Sequence, residues 1–240
     1  REILSTEDTK TIFNSGGDDN IILALAIMLI CTLRSGELKG LTWDCVVSEG
    51  NKTKIIINKE LERRNKKDII DTKTKVLFEF PSTKKDPSTI VILKETKTKD
   101  SDRVNSVPCY LAEWLREYRL NQEKLKKQYG DEYYDYNLVF CQNNGKPHSN
   151  HTFDDRLKKI LNKLGIKAVG LYSFRHGGAT EKVRLCQNLD AVRQDMGQTG
   201  FDVLLEVYLH GNEEERERMA ELLCNQFWEN KKTDDLDEKE

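Results

Sequence analysis

No apolar run in these 240 residues is long enough to cross a bilayer. The longest candidate, Ile21 to Leu33, falls short and is closed by Arg34, so it reads as a buried helix. No signal peptide precedes it, and none of the six cysteines (Cys31, Cys45, Cys109, Cys141, Cys186, Cys224) belongs to a CxxC pair. Several of them sit in apolar patterns, which favours reduced, buried thiols in a cytoplasmic protein over a disulfide framework or a zinc site. The close pair His148 and His151 stands in a Gly-Lys-Pro-His-Ser-Asn-His segment with no matching ligand pair and reads as a solvated loop. A starting methionine is missing as well. The chain opens at Arg1 and enters a helical pattern almost at once, which suggests a trimmed piece of a longer protein whose upstream domain is absent.

An excess of positive charge is also lacking, with 39 Lys and Arg against 41 Asp and Glu, a net of −2. Spread evenly, that balance would argue against a nucleic-acid partner. It is not spread evenly: Gly211 to Glu240 holds eleven acidic and five basic residues, a net of −6, and the remainder carries 34 basic against 30 acidic, or +4. Local patches decide phosphate affinity more than the whole-chain balance does.

What is present is ordered as helices, then strands, then helices. Ser5-Thr6-Glu7-Asp8 reads as a capped helix start, and Ile21 to Ile30 as a second helix, apolar nearly all round. After Arg34 the chain turns at Ser35-Gly36, and Glu37, Leu38, Leu41 and Trp43 open a further helical segment. Lys54 to Ile57, Lys75 to Phe80, Thr89 to Leu93 and Arg103 to Val107 are β-rich and bounded by Pro81, Pro87 and Pro108, which predicts a small antiparallel sheet. Glu62 to Thr74 and Ser82 to Ser88 read as charged loops, so an insertion is expected at about 54–95. Helical periodicity returns at Leu111 to Leu115, and a connector with Tyr129, Tyr133, Tyr134 and Tyr136 reads as a loop packed on the domain surface. Amphipathic helices follow over Phe153 to Leu164 and Glu213 to Trp228. The predicted organisation is a 1–212 domain, a 213–228 C-terminal helix and a 229–240 acidic tail.

Three segments carry chemistry: Leu33-Arg34-Ser35-Gly36-Glu37-Leu38, Tyr172-Ser173-Phe174-Arg175-His176, and Met196-Gly197-Gln198 followed by Tyr208. Arginine's planar fork suits two non-bridging phosphate oxygens at once, which makes Arg34 and Arg175 candidates for holding an anionic phosphate without a metal. Taken alone, Arg34 reads equally as half of a helical ion pair with Glu37, Arg175 as a surface arginine, and Tyr208 as a core tyrosine beside Leu204, Leu205 and Val207. Glu37 reads as a buttress for Arg34 rather than an acid or base.

The order and spacing of these segments resembles the catalytic domain of the tyrosine recombinases, the phage-integrase family, over roughly residues 5 to 212, and is similar to integrases of mobile and conjugative elements. The resemblance implies an α+β fold, mainly helical with a small antiparallel sheet, shared with type IB topoisomerases. It implies strand cutting and rejoining in double-stranded DNA through a 3′-phosphotyrosine, with no metal or cofactor, by a homotetramer on paired sites and no membrane. The C-terminal helix often docks on a neighbouring subunit in such proteins. By the same resemblance Arg34 and Arg175 bind the phosphate, Tyr208, ten residues after Gln198, is the nucleophile, and a hairpin lysine protonates the leaving 5′ oxygen. Lys97 and Lys99 compete for that last role. Six residues back from Arg103 reaches Lys97, the choice here, while counting from Pro108 favours Lys99. Two positions depart from the family pattern, Tyr172 and Gln198 standing where histidines are usual. Gln198 can donate through its amide but cannot shuttle a proton at neutral pH. The alternatives are a topoisomerase-like nicking enzyme and a DNA-binding module weakened in catalysis.

Overall fold

The computed structural model describes residues 4–16, 19–69, 75–82, 88–96, 101–186, 188–198, 200 and 220–222. The chain divides into two units, Arg1–Phe201 and Asp202–Glu240. In the second unit residues 220–222 are helical, and the rest of the expected 213–228 helix and the acidic tail lie outside the described residues.

In the first unit α1 (Thr6–Phe13) starts where the Ser5 hydroxyl accepts the Asp8 backbone N–H at 3.0 Å, with Glu7 and Asp8 in the first turn, facing the positive end of the helix dipole. α2 (Asp19–Ile30) buries every residue from Ile21 to Met28. It has no polar face because α1 and four later helices all pack against it. α6 (Tyr172–Cys186) meets α2 at a glycine: a Cβ on Gly178 would stand 2.1 Å from the Leu29 carbonyl oxygen. Gly178→Ala must separate the two helices, so it should lower the urea unfolding free energy by about 1–3 kcal/mol, as overpacked core sites do. An unchanged midpoint would show slack between α2 and α6.

The helical segment after Arg34 is shorter than expected. α3 (Ser35–Lys39) ends before Gly40, and Trp43–Cys45 forms a separate 3₁₀ turn. The sheet is more elaborate than one small sheet. β1 (Val46–Glu49), β2 (Lys52–Ile57) and β6 (Arg103–Val107) form an antiparallel sheet in the order β1-β2-β6. β3 (Lys59–Asn65), β4 (Val76–Phe80) and β5 (Thr89–Glu95) form a second in the order β3-β5-β4, lying in sequence between β2 and β6. Glu62 to Asn65 therefore belong to a strand and not to a charged loop. The charges are tolerated because they pair across strands: Lys94 on β5 places its ammonium 2.5 Å from Glu60 and 3.1 Å from Glu62. On the opposite face Leu61 is buried with Phe80, Leu93 and Leu138.

α4 (Cys109–Tyr129) buries Leu111, Leu115 and Gln122 on one side. The tyrosine connector after it packs Tyr136 edge-on against Phe80 at 5.0 Å between ring centroids. His148 departs from expectation: it is buried, its ring 4.7 Å from that of Phe153, and not solvated. α5 (Asn150–Leu164) opens on Ser149, whose hydroxyl accepts the Thr152 N–H, and buries Phe153, Leu157 and Leu161 at a spacing of one turn. Of the cysteines, Cys31 and Cys45 are buried, Cys109 and Cys186 are exposed, and Cys224 lies outside the described residues. No described helix is long and apolar enough to cross a membrane.

Candidate active site

Arg34 is the residue immediately before α3, in extended conformation, and Glu37 holds it twice. The Arg34 backbone N–H donates to one Glu37 carboxylate oxygen at 2.8 Å and its Nη1 donates to the other at 2.7 Å. The Glu37 side chain is 1% exposed, whereas that of Arg34 is 37% exposed. Burial pushes the Glu37 carboxyl up, but the hydrogen bonds and charge of Arg103, with the Arg34 N–H and guanidinium, outweigh it and hold Glu37 below the ordinary carboxylate value. It stays an anion, which is what a buttress between two cations has to be.

Arg103, on β6, forms the second pair with Glu37, at 2.8 and 3.2 Å. Arg175, on α6, places Nη1 3.9 Å from the same carboxylate. Its side chain is 2% exposed. Burial, then the like charge of Arg34, lowers its pKa to about 10, with Glu37 opposing, which still leaves a cation at neutral pH.

The third partner of this cluster is a short helix absent from the sequence reading, α7 (Leu189–Met196). Asn188 caps its start by accepting the Ala191 N–H at 3.1 Å. Its end is a Schellman turn: Gly197, at φ +60°, donates to the Gln194 carbonyl and Gln198 to the Arg193 carbonyl. Three successive carbonyls are left over, and each takes a different arginine. Arg103 Nε donates to Asp195 O at 2.8 Å, Arg175 Nη2 to Met196 O at 2.8 Å, and Arg34 Nη2 to Gly197 O at 3.1 Å. The negative end of the helix thus collects the cations that the motifs supply. The turn between α2 and α3 contributes too, since Thr32 O accepts from Arg175 and its hydroxyl donates to Asp195 O at 2.9 Å.

Arg34 and Arg175, far apart in sequence, are therefore brought together. Gln198 follows directly on the α7 turn. Its backbone carbonyl accepts from Arg193 at 2.8 Å, and its side-chain Oε1 is buried without a hydrogen-bond partner among the described residues. Tyr172 is the first residue of α6, 38% exposed, with its ring edge-on to His176 at 4.3 Å. Lys97 and its competitor Lys99 fall between β5 and β6, outside the described residues, as does Tyr208. Sequence reasoning used Arg103 only as a counting mark and passed over Thr32 and α7. The caps Asn188 and Gly197 around an eight-residue segment were the available signal for α7.

Three guanidinium groups share one buried carboxylate, and the nearby Asp195 side chain is already taken by Lys182 at 2.6 Å. Positive charge is left over, fixed by backbone carbonyls before any ligand arrives. Such an array suits an anion whose charge grows during reaction.

The sequence matches the model of the Phage integrase family over residues 17–215. It is 24% identical over 229 residues to a Caldanaerobacter subterraneus subsp. tengcongensis protein named tyrosine recombinase XerC-like, covering 94% of this chain and 54% of that protein. The chain thus spans about half the length of this relative. Its fold is similar to the Tn1549 transposon integrase solved with transposon right-end DNA, with a TM-score of 0.69 at 18% identity over 93% of this chain and 66% of that one. It is similar also to the XerH site-specific recombinase bound to palindromic difH substrate, with a TM-score of 0.62 at 17% identity over 92% of this chain and 52% of that one. The arginine motifs, the helical fold with small antiparallel sheets and a family match across most of the sequence converge, and the chain belongs to the phage integrase family of tyrosine recombinases.

Proposed function

We propose that this chain is the catalytic domain of a site-specific DNA recombinase that cuts and rejoins strands through a 3′-phosphotyrosine on Tyr208. The observation that carries the reading is the cluster in which Arg34 and Arg175 are held beside one another by Glu37 and the α7 carbonyls. Arg34 offers the solvent-facing side of the cluster and Arg175 lies buried. Among the described residues each commits two guanidinium N–H groups, leaving donors for the non-bridging oxygens of a phosphodiester.

The chemistry then has a defined demand. Ionising a free phenol at pH 7 costs roughly 4 kcal/mol, and an arginine-bound phosphate offsets part of this as charge moves onto it. Attack by the Tyr208 oxygen on phosphorus, its phenol proton released to water, forms the phosphotyrosine bond and breaks the bond to the 5′ oxygen, which needs a proton because an alkoxide is a far poorer leaving group than an alcohol. Lys97 is assigned that proton. Gln198 carries a side-chain acceptor with no partner among the described residues, and Tyr172 can hydrogen-bond a phosphate oxygen. In the same reading 1–212 is the catalytic domain with an insertion at about 54–95, the 213–228 helix docks on a neighbouring subunit of a homotetramer, and the protein works in the cytoplasm on double-stranded DNA.

The test is incubation of the chain with a pool of nicked duplexes randomised around the nick, followed by denaturing electrophoresis. A covalent protein–DNA band supports the reading, and sequencing the trapped DNA yields a defined substrate. DNA binding with no such band would instead favour a binding module weakened in catalysis, for which Tyr172 and Gln198 in the usual histidine positions are the motivating observation.

A further inference from the structure

The arginines of the cluster differ in one respect that their shared carboxylate conceals. Arg103 commits all five of its guanidinium N–H groups to protein: Nε to Asp195 O, Nη1 to Glu37 Oε1 and Ser101 O, Nη2 to Glu37 Oε2 and Thr32 O. Its side chain is 5% exposed, and it fills the space beside Gly197, where a Cβ would come within 2.8 Å of Nη1. A guanidinium with no donor to spare cannot take a phosphate oxygen. It does touch both things that place the donors: the buttress of Arg34, and the helix end whose next residues are Met196, Gly197 and Gln198.

We propose that Arg103 is a positioning residue for strand cleavage, acting through Glu37 on Arg34 and through Asp195 on the α7 turn, without itself contacting DNA. The inference rests on the recombinase reading above. Neighbouring charges are accounted for: Arg34 beside α3, Arg103 on β6 and Arg175 on α6 face Glu37, Tyr172 stands near Arg175, and on α7 Asp195 pairs with Lys182. With Arg103 removed, Glu37 keeps its burial but loses its largest opposing partner, so its carboxyl rises and protonates as pH falls. Arg34 then loses its anchor at a pH where the natural chain keeps it.

The experiment measures single-turnover adduct formation by the full chain on the trapped nicked substrate from pH 5 to 8, with affinity for the same DNA measured separately by anisotropy. The variants are Arg103→Gln, Arg103→Lys, Glu37→Gln and the Arg103→Gln/Glu37→Gln pair. Arg103→Gln should slow adduct formation by on the order of tenfold to a hundredfold, as loss of a supporting contact does elsewhere, with affinity changed less than about threefold. The defect should deepen toward pH 5, and Arg103→Lys should recover part of the rate. In the double variant the two losses should not multiply, because both remove one contact. Losses that multiply with a flat pH profile would mean a structural role only, and an affinity loss equal to the rate loss would mean that Arg103 binds DNA; either overturns the proposal. If Arg103→Gln fails to fold, Arg103→Lys, paired with Glu37→Gln, carries the same comparison. The natural chain's own adduct is the control: its absence overturns the recombinase reading and this proposal with it, whereas a normal adduct unaffected by the Arg103 variants overturns this proposal alone.

Discussion

Replacing Tyr208 by phenylalanine is expected to abolish covalent attachment to nicked DNA while leaving DNA affinity within a few-fold. The substitution deletes one hydroxyl and no charge, so the arginine cluster and its electrostatic attraction for phosphate are untouched. Without the phenolic oxygen no phosphotyrosine bond can form, and the loss should reach the detection limit of the gel rather than a fixed fraction. Adduct formation that persists in Tyr208→Phe would sink the nucleophile assignment and point to another tyrosine. Tyr172 would be the first to examine, because it opens α6 beside Arg175 and is partly exposed.

Arg175→Lys should be nearly as damaging, by a different route. The natural guanidinium reaches Thr32 O and Met196 O with separate nitrogens while lying 3.9 Å from Glu37. A single ammonium cannot occupy both positions. Cleavage should fall by about two to three orders of magnitude, the scale for removing one preorganised donor from a reacting oxyanion. Stability should fall as well, by about 1–3 kcal/mol for a buried carbonyl left without its donor. The ammonium would also sit where burial and Arg34 already disfavour a cation, so its own charge is less secure than that of an arginine. Measuring the rate well below the unfolding midpoint separates the two effects. Equal losses of binding and cleavage would mean that Arg175 merely holds DNA.

Much of the site was legible because its motifs are local. Arg34 and Glu37 are three residues apart, and α3 turns that spacing into a contact. Arg103 was not legible in this sense: its partner Glu37 is 66 residues away, and nothing in Arg103-Val104-Asn105 marks one arginine on a polar strand as buried. The same holds for β3, whose Glu60 and Glu62 find Lys94 only after the strands have paired; from sequence the segment is a run of charges. α7 was missed for its length, since eight residues carry little periodicity and the decisive features are its two caps. The helices predicted over Ile21 to Ile30, apolar nearly all round, and Phe153 to Leu164, amphipathic, begin a few residues earlier as α2 and α5; α5 starts where Ser149 caps it and not at its first core position.

Ile57 and Arg103 face one another across the β2–β6 ladder, so the chain leaves that sheet and returns to it at a single point. The entropy of closing such an excursion grows only with the logarithm of its length, about 0.6 kcal/mol for each doubling. The connections between β3, β4 and β5 are therefore where descendants of this sequence can lengthen or shorten with little energetic consequence, while the strands stay packed through Leu61, Phe80 and Leu93 and the register that aims Arg103 stays as it is. The topology also sets an order of events during folding. β6 can zip onto β2 only after a distant part of the chain returns, later than the helices, which need only local contacts. Arg103, at the rung where the chain rejoins that sheet, reaches Glu37 only after this return, and the three like charges are drawn together only once the carboxylate and the helix end that reconcile them are in place.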